Sequence, residues 1–141
     1  MKTLRNIVLC VILLIMHNII SFAQVNIVSN SSFEDLSSCP SDQAQIYFAI
    51  GWNILNNGGG GTPDLFNVCC TNPFICGVPL NTGNSTFQYA HKGNSYVGID
   101  VAISYYIDNW REYVQSKLKK GLSASHTYCV KFYASVKLNI I

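Results

Sequence analysis

The chain has 141 residues, of which 49% are hydrophobic and only 11% are charged. Its formal net charge is +2, and two of its nine basic residues, Lys2 and Arg5, lie at the very start. A chain with this few charges cannot form the strongly basic surface that binds nucleic acids or anionic membranes. We therefore expect neither as a partner.

The first 23 residues have the pattern of a secretory signal peptide. After the two basic residues, Ile7–Ile20 is mostly apolar, and Ser21 and Ala23 are the small residues that signal peptidase reads. Polar residues interrupt the apolar run, which leaves it shorter than the roughly 20 residues that a membrane span needs. We therefore predict cleavage before Gln24, a secreted chain without a membrane span, and one domain over residues 24–141.

Short stretches rich in β-branched and aromatic residues recur along the predicted mature chain and are typical of strands. In chain order these stretches are Val25–Val28, Gln45–Trp52, Ser95–Asp100, Arg111–Leu118 and Thr127–Val136. Segments rich in glycine, proline and asparagine separate them, and no long amphipathic helical pattern occurs. This organisation predicts an all-β fold, specifically an antiparallel β-sandwich of jelly-roll type.

The last two of these stretches carry the clearest alternation. In Thr127–Val136, the apolar residues Val130, Phe132 and Ala134 share one face of an extended chain, and polar residues share the other. Two strands alone are only marginally stable, so they need further strands to cover their apolar face. We predict that Arg111–Leu118 and Thr127–Val136 are the strands around which the fold is organised.

Five cysteines fall in the predicted mature chain. Cys39, Cys69, Cys70 and Cys76 lie in turn-rich sequence, and an exported chain meets an oxidising compartment, where disulfides form. Four cysteines allow three pairings. We favour Cys39 with Cys69, which would tie the first loop to the middle of the chain, and then Cys70 with Cys76. Cys129 is predicted to be a free thiol.

A metal site or a catalytic thiol is the alternative interpretation of this cluster. Cys69, Cys70, Cys76 and His91 are soft ligands, but they lack the paired C-x₂-C spacing of structural zinc sites. A thiol–imidazole pair could be drawn from Cys69 or Cys70 with His91. The chain has no recognisable nucleophile, acid–base or metalloprotease motif, and we expect no catalytic activity.

Aromatic and amide side chains are concentrated shortly before and within Arg111–Leu118. Tyrosine and tryptophan rings can stack on the C–H faces of sugars, while short polar side chains hydrogen-bond sugar hydroxyls. The predicted glycan-binding residues are Tyr105, Tyr106, Trp110, Tyr113 and Gln115. The alternative is that these rings cap the ends of the core, as we expect for Trp52.

Several short motifs, taken in order, resemble one group of bacterial surface proteins. The motifs are Asn30–Glu34, Ser38–Pro40, Gly51-Trp52, Thr62–Asn67, Gly77–Pro79, Gly93–Ile99 and Arg111–Gln115. The chain is similar to the N-terminal, galactose-binding-like jelly-roll domain of secreted Bacteroidetes proteins connected with gliding motility. Those proteins end in a type IX export-sorting domain or an OmpA-like domain.

The resemblance implies a carbohydrate-binding or adhesive module at the cell surface, without a reaction of its own. Its partners would be glycans and other domains or surface proteins of the same assembly. The alternative is a structural spacer that binds no ligand.

The resemblance also implies a structural calcium ion in full-length relatives, held by a glutamate that matches Glu34 and by an aspartate in a later strand. The resemblance places this aspartate in strands beyond the one that matches Thr127–Val136, and we expect that segment to be missing from this chain. We therefore expect a sandwich that is incomplete at its C-terminus and a chain that is poorly soluble or self-associates.

Overall fold

The computed structural model describes residues 25–55, 61–81, 86–101 and 111–136. Within these ranges the regular structure is mostly β, which confirms the predicted all-β class at the coarse level. The elements are a 3₁₀ turn (Ile46–Phe48), β1 (Trp52–Ile54), β2 (Asp64–Asn67), α1 (Pro73–Cys76), β3 (Leu80–Asn81), β4 (Thr86–Phe87), β5 (Ser95–Gly98) and β6 (Val114–Ser116).

The six strands pair in a nested, antiparallel order. β1 pairs with β6, β2 pairs with β5, and β3 pairs with β4. The first of these strands in the sequence therefore pairs with the last, the second with the second-last, and the two middle strands with each other. In the outer ladder Trp52 lies opposite Ser116 and Asn53 opposite Gln115. An isolated bridge between Val28 and Leu118 brings the N-terminal segment to the end of β6.

Strand β2 lies at the centre of the packing. Leu65 is fully buried in one apolar cluster with Ile46 and Ala49, whereas the next residue, Phe66, belongs to a second cluster with the Cys70–Cys76 disulfide. Successive side chains of a strand point to opposite faces, so β2 is covered on both sides. A strand covered on both sides shows no polar–apolar alternation, which is why the sequence pattern did not identify it.

The prediction that Arg111–Leu118 and Thr127–Val136 organise the fold is wrong. In the first segment only Val114–Ser116 forms a strand, and Thr127–Val136 forms no strand among the described residues. Every residue of 127–136 is exposed. Alternation gives a segment an apolar face, but a strand also needs a neighbour that offers unpaired backbone groups, and this segment contacts its neighbours through side chains.

Two other predicted strands are also revised. Within Gln45–Trp52, Ile46–Phe48 forms the 3₁₀ turn, and β1 begins only at Trp52. Ile46 and the residue after the turn, Ala49, are both fully buried. Gly51, at a φ of +86°, makes the turn between them, a conformation that glycine adopts without strain. Val25–Val28 contributes a single bridge. Ser95–Asp100 is confirmed in substance, because Ser95–Gly98 is β5.

Asn30 joins the N-terminal loop to the start of β1. Its Nδ2 donates to the carbonyl oxygens of Asp35 and Ile50, at 2.9 and 3.0 Å, and its Oδ1 accepts from the Asp35 N–H. The Asn30 carbonyl accepts a 2.8 Å bond from the Trp52 indole. Trp52 also packs its ring 4.6 Å from that of Phe33, in the core position expected for it.

Two disulfides close the middle of the chain. Cys39 is bonded to Cys69 and Cys70 to Cys76, the two pairings that the loop positions favour, and Cys129 is a free, exposed thiol. Such bonds are typical of oxidising environments. None of the described helices is long and apolar enough to cross a membrane.

Tyr96 of β5 makes a testable contribution to stability at alkaline pH. Burial raises the pKa of its phenol to about 12 from the ordinary 10.0, and its ring stacks on that of Phe66 with centroids 4.7 Å apart. Because folding favours the neutral phenol, this contribution is complete below pH 10 and is lost as the pH rises through the folded-state pKa.

We therefore predict that Tyr96→Phe reduces the loss of stability between about pH 9 and pH 11.5. Urea unfolding midpoints at the two pH values measure the effect. The exposed Tyr89→Phe variant should retain the wild-type loss. An identical loss in Tyr96→Phe and the wild type would contradict the prediction.

Candidate functional site

The candidate site is the solvent-facing side of the β1–β6 ladder, which we call the outer face. Trp52, Ile54 and Val114 point inward and pack against the apolar cluster around Leu65. The alternation of a strand therefore turns Asn53 toward solvent. By the same alternation Gln115, the residue directly opposite Asn53, also faces solvent.

The two amides are held side by side by the ladder. Residues opposite each other in an antiparallel pair have Cβ atoms about 4.5–5.5 Å apart, so the Asn53 and Gln115 amides can reach one ligand together. Gln115 is further positioned because its Nε2 donates to the Ile54 carbonyl at 3.3 Å. Its Oε1 is the natural acceptor for a ligand hydroxyl.

Tyr113 adds an aromatic ring to the same side. It lies two residues before Gln115, so both side chains leave the backbone in the same direction. The Tyr113 side chain is 49% exposed. A half-exposed tyrosine offers both a ring surface and a hydroxyl that donates and accepts hydrogen bonds. The exposed Lys117 continues this row of side chains along the strand.

The outer face is therefore suited to a neutral ligand with several hydroxyls. Two amides supply donors and acceptors, and the ring supplies a surface for C–H groups. These are the elements of binding rather than of proton transfer, since primary amides do not titrate near neutral pH.

The structure describes only part of the predicted glycan-binding set. Tyr113 and Gln115 share the outer face, as the alternation of Arg111–Leu118 indicates. Tyr105, Tyr106 and Trp110 lie outside the described residues. Asn53 was not identified from the sequence, because the strand β1 that carries it was placed too early in the chain. The register of β1 against β6 is what brings Asn53 to Gln115.

Glu34, the residue matched to a calcium ligand, anchors a loop. Its Oε1 accepts hydrogen bonds from the backbone N–H groups of Asn94 and Ser95, both at 2.9 Å. The carboxylate lies against Gly93, where a Cβ would collide with it. The described residues contain no group of three His, Cys, Asp or Glu side chains that could hold a metal ion.

The alternative thiol–imidazole pair is not formed. The sulfur atoms of Cys69 and Cys70 are both in disulfides, so neither offers a thiolate. The ring of His91 instead stacks on Tyr133, with centroids 3.5 Å apart and an angle of 16° between the planes.

A buried glutamate, Glu112, immediately precedes Tyr113 of the outer face, and the sequence analysis did not identify it. Glu112, only 9% exposed, accepts from the N–H of Thr62 at 2.7 Å and from the N–H of Asp100 at 2.8 Å. Its own N–H donates to the Asp100 carbonyl. We call Glu112 with these two backbone partners the carboxylate latch. It fixes the residue immediately before Tyr113.

A groove of about 300 Å³ lies beside α1, away from the residues of the outer face. The residues that line it are Val68, Pro73, Phe74, Gly77, Val78, Pro79 and Leu80. The peptide bond before Pro79 is cis. The lining offers no charged side chain.

Comparison with known proteins gives no relative. No protein-family model, no curated protein and no solved structure matches the chain.

Proposed function

We propose that this chain is an exported, non-catalytic module that binds carbohydrate through the outer face of the β1–β6 ladder. The observation that carries the proposal is the juxtaposition of Asn53 and Gln115 with the half-exposed ring of Tyr113. Binding of neutral sugars is dominated by ring stacking and hydrogen bonds to hydroxyls, and this face supplies groups for both.

For the architecture we propose a jelly-roll type of β-sandwich. The nested pairing of β1 with β6, β2 with β5 and β3 with β4 supports it, because a jelly roll is a long antiparallel ribbon folded over into two layers. The burial of β2 on both faces also supports a second layer. The ordered motifs that resemble the galactose-binding-like surface domains point to the same architecture.

For the location we propose the outside of the cell, as part of a larger surface assembly. The two disulfides support this location, because the cytosol keeps such thiols reduced. The pattern of residues 1–23 supports export by a cleaved signal peptide.

The test is a glycan-array screen of the purified chain, followed by calorimetric titration with the strongest glycan. Tyr113→Ala is expected to weaken binding roughly tenfold or more, because it removes the only ring placed on the outer face among the described residues. Gln115→Ala should weaken it as well, through loss of an amide acceptor.

The matched control is Tyr47→Ala. Tyr47 is 52% exposed, close to the 49% of Tyr113, but it belongs to the 3₁₀ turn rather than to the ladder. This variant should bind like the wild type. If no glycan binds, the chain acts as a structural spacer and the proposal fails. If Tyr113→Ala and Tyr47→Ala bind equally well, the glycan is bound away from the outer face, and the proposal fails as well.

A further inference from the structure

The outer face extends beyond the three residues on which the proposed binding site depends. From Arg111 to Leu118 the exposure of the side chains alternates without exception, because the odd-numbered residues are exposed and the even-numbered ones are buried or half-buried. The four exposed residues therefore leave the backbone on the same side. In chain order they are Arg111, Tyr113, Gln115 and Lys117. The row begins with one cation and ends with another, and a neutral ring and a neutral amide lie between them.

Neither cation of this row is neutralised within the described part of the chain. Arg111 and Lys117 are both exposed, and neither has an ion pair or a hydrogen bond there. Lys119, two residues further on, is different, because its Nζ donates to the Asn26 carbonyl at 3.4 Å. The acidic residue of the same segment, Glu112, points inward and accepts hydrogen bonds from two backbone N–H groups. Among the described residues, the outer face thus carries positive charge without a carboxylate to balance it.

The spacing of the two cations bears on the size of the ligand. Arg111 and Lys117 are six positions apart in the sequence. An extended chain advances about 3.3 Å per residue, so their backbone positions lie roughly 20 Å from each other. A single sugar ring covers only a fraction of that distance. The spacing therefore suits a chain of several sugars that lies along β6 rather than one sugar.

We propose that the outer face binds a linear acidic glycan, in which some sugars carry a carboxylate or a sulfate group. Hydroxyls and C–H faces of the glycan meet the neutral centre of the face, formed by Asn53, Gln115 and the ring of Tyr113. The acidic groups pair with Arg111 and Lys117 at its two ends. This inference rests on the proposed function and deepens it, because it names the class of carbohydrate that the same site takes.

The two cations select the ligand rather than supply most of the affinity. An exposed ion pair contributes little free energy, and two cations are far fewer than the roughly six to ten phosphate contacts through which proteins hold DNA by charge. Most of the affinity therefore comes from the contacts of the neutral centre. Complementary charge at the ends then discriminates acidic glycans from neutral ones.

Calorimetric titration with matched pairs of polymers tests the proposal. Oligogalacturonate and its methyl ester differ in the charge of their carboxyl groups, and dextran sulfate and dextran differ in sulfation. The wild type should bind the acidic member of at least one pair about five- to twentyfold more tightly than the neutral member, as two exposed ion pairs allow. This preference should fade as the ionic strength rises from about 0.02 to 0.5 M.

Two double variants locate the preference on the molecule. In Arg111→Gln/Lys117→Gln, the affinities for the acidic and the neutral member of a pair should become equal. The matched control is Lys92→Gln/Lys131→Gln, which removes the same charge from exposed residues outside the outer face and should keep the preference. All four residues are exposed, so both variants should melt like the wild type.

Three results would overturn the inference while glycan binding itself persists. The first is equal affinity of the wild type for both members of every pair, with binding that still requires Tyr113. The second is an equal loss of preference in the two double variants, because net charge rather than the outer face would then select the ligand. The third is binding of poly-glutamate, an acidic polymer without sugars, as tightly as the acidic glycan. If no glycan of any kind binds, the proposed function fails, and this inference fails with it.

Discussion

Replacing Cys39 and Cys69 together by alanine is expected to lower the free energy of unfolding by about 3–4 kcal/mol. The disulfide joins residues separated by 30 positions, and it therefore restricts a large loop of the unfolded chain. A loss of this size is a large fraction of the stability of an ordinary domain. Urea unfolding followed by the fluorescence of the half-buried Trp52 would measure it, with the midpoint falling in proportion.

The matched control is Cys129→Ala. This variant also removes a sulfur atom, but from an exposed residue that forms no disulfide. Its free energy of unfolding should stay within about 0.5 kcal/mol of the wild type. A Cys39→Ala/Cys69→Ala variant as stable as Cys129→Ala would contradict the prediction, because it would mean that the loop closed by this bond does not restrict the unfolded chain.

The second disulfide is expected to contribute less to the free energy of unfolding than the first. Cys70 and Cys76 are separated by only 6 positions, and the same loop-closure argument gives about 2 kcal/mol. The two disulfides therefore differ in how they stabilise the fold. The long loop restricts the unfolded chain more, whereas the short one also fills the cluster around Phe66, where Cys76 is 1% exposed.

Cysteine pairing could be predicted from the sequence because four cysteines allow only three pairings. The position of each cysteine in turn-rich sequence and the signs of export were sufficient to favour Cys39–Cys69 and Cys70–Cys76. The all-β class could be predicted for a similar reason, since short stretches of β-branched and aromatic residues are informative in bulk. The pairing of strands could not be predicted in this way. β1 and β6 are about sixty residues apart, and neither segment has a local sequence pattern that identifies the other as its partner.

The strength of a local pattern misled the prediction of the central strand. Thr127–Val136 alternates clearly, but alternation measures only how a segment would divide its residues between two faces. Asp64–Asn67 shows no alternation because apolar clusters cover both of its faces. In this fold the most buried strand is therefore the least periodic one, and the most periodic segment is exposed.

Part of the candidate site was nevertheless accessible from the sequence. The alternation in Arg111–Leu118 places Tyr113 and Gln115 on one side and Val114 on the other. The same parity places Glu112 inward with Val114. An acidic residue at an inward position needs hydrogen-bond donors, and this signal could have predicted the carboxylate latch.

Glu112→Ala is expected to lower the free energy of unfolding by about 3 kcal/mol. The carboxylate accepts hydrogen bonds from the N–H groups of Thr62 and Asp100, which lie far apart in sequence. Alanine would leave both donors without this acceptor in a partly buried site. Because Glu112 precedes Tyr113, we also expect weaker glycan binding. Urea unfolding and calorimetric titration would measure the two effects.

Glu112→Gln is the control for shape. It keeps the size of the side chain but leaves one acceptor oxygen, so an NH₂ group must face one of the two backbone N–H groups. The free energy of unfolding of Glu112→Gln should lie between that of the wild type and that of Glu112→Ala. A Glu112→Gln variant as stable as the wild type would show that the second hydrogen bond contributes nothing.

Gly61 gives an independent test of the latch, because a Cβ there would overlap the Cγ of Glu112. Gly61→Ala should therefore destabilise the wild type strongly. In the Glu112→Ala background the Cγ and the carboxylate are gone, and the Glu112 Cβ, 2.9 Å from the added atom, is the remaining obstacle. The double-mutant cycle should give a coupling energy of at least about 1 kcal/mol. Additive losses would contradict the prediction, because they would mean that Gly61 and Glu112 do not pack together.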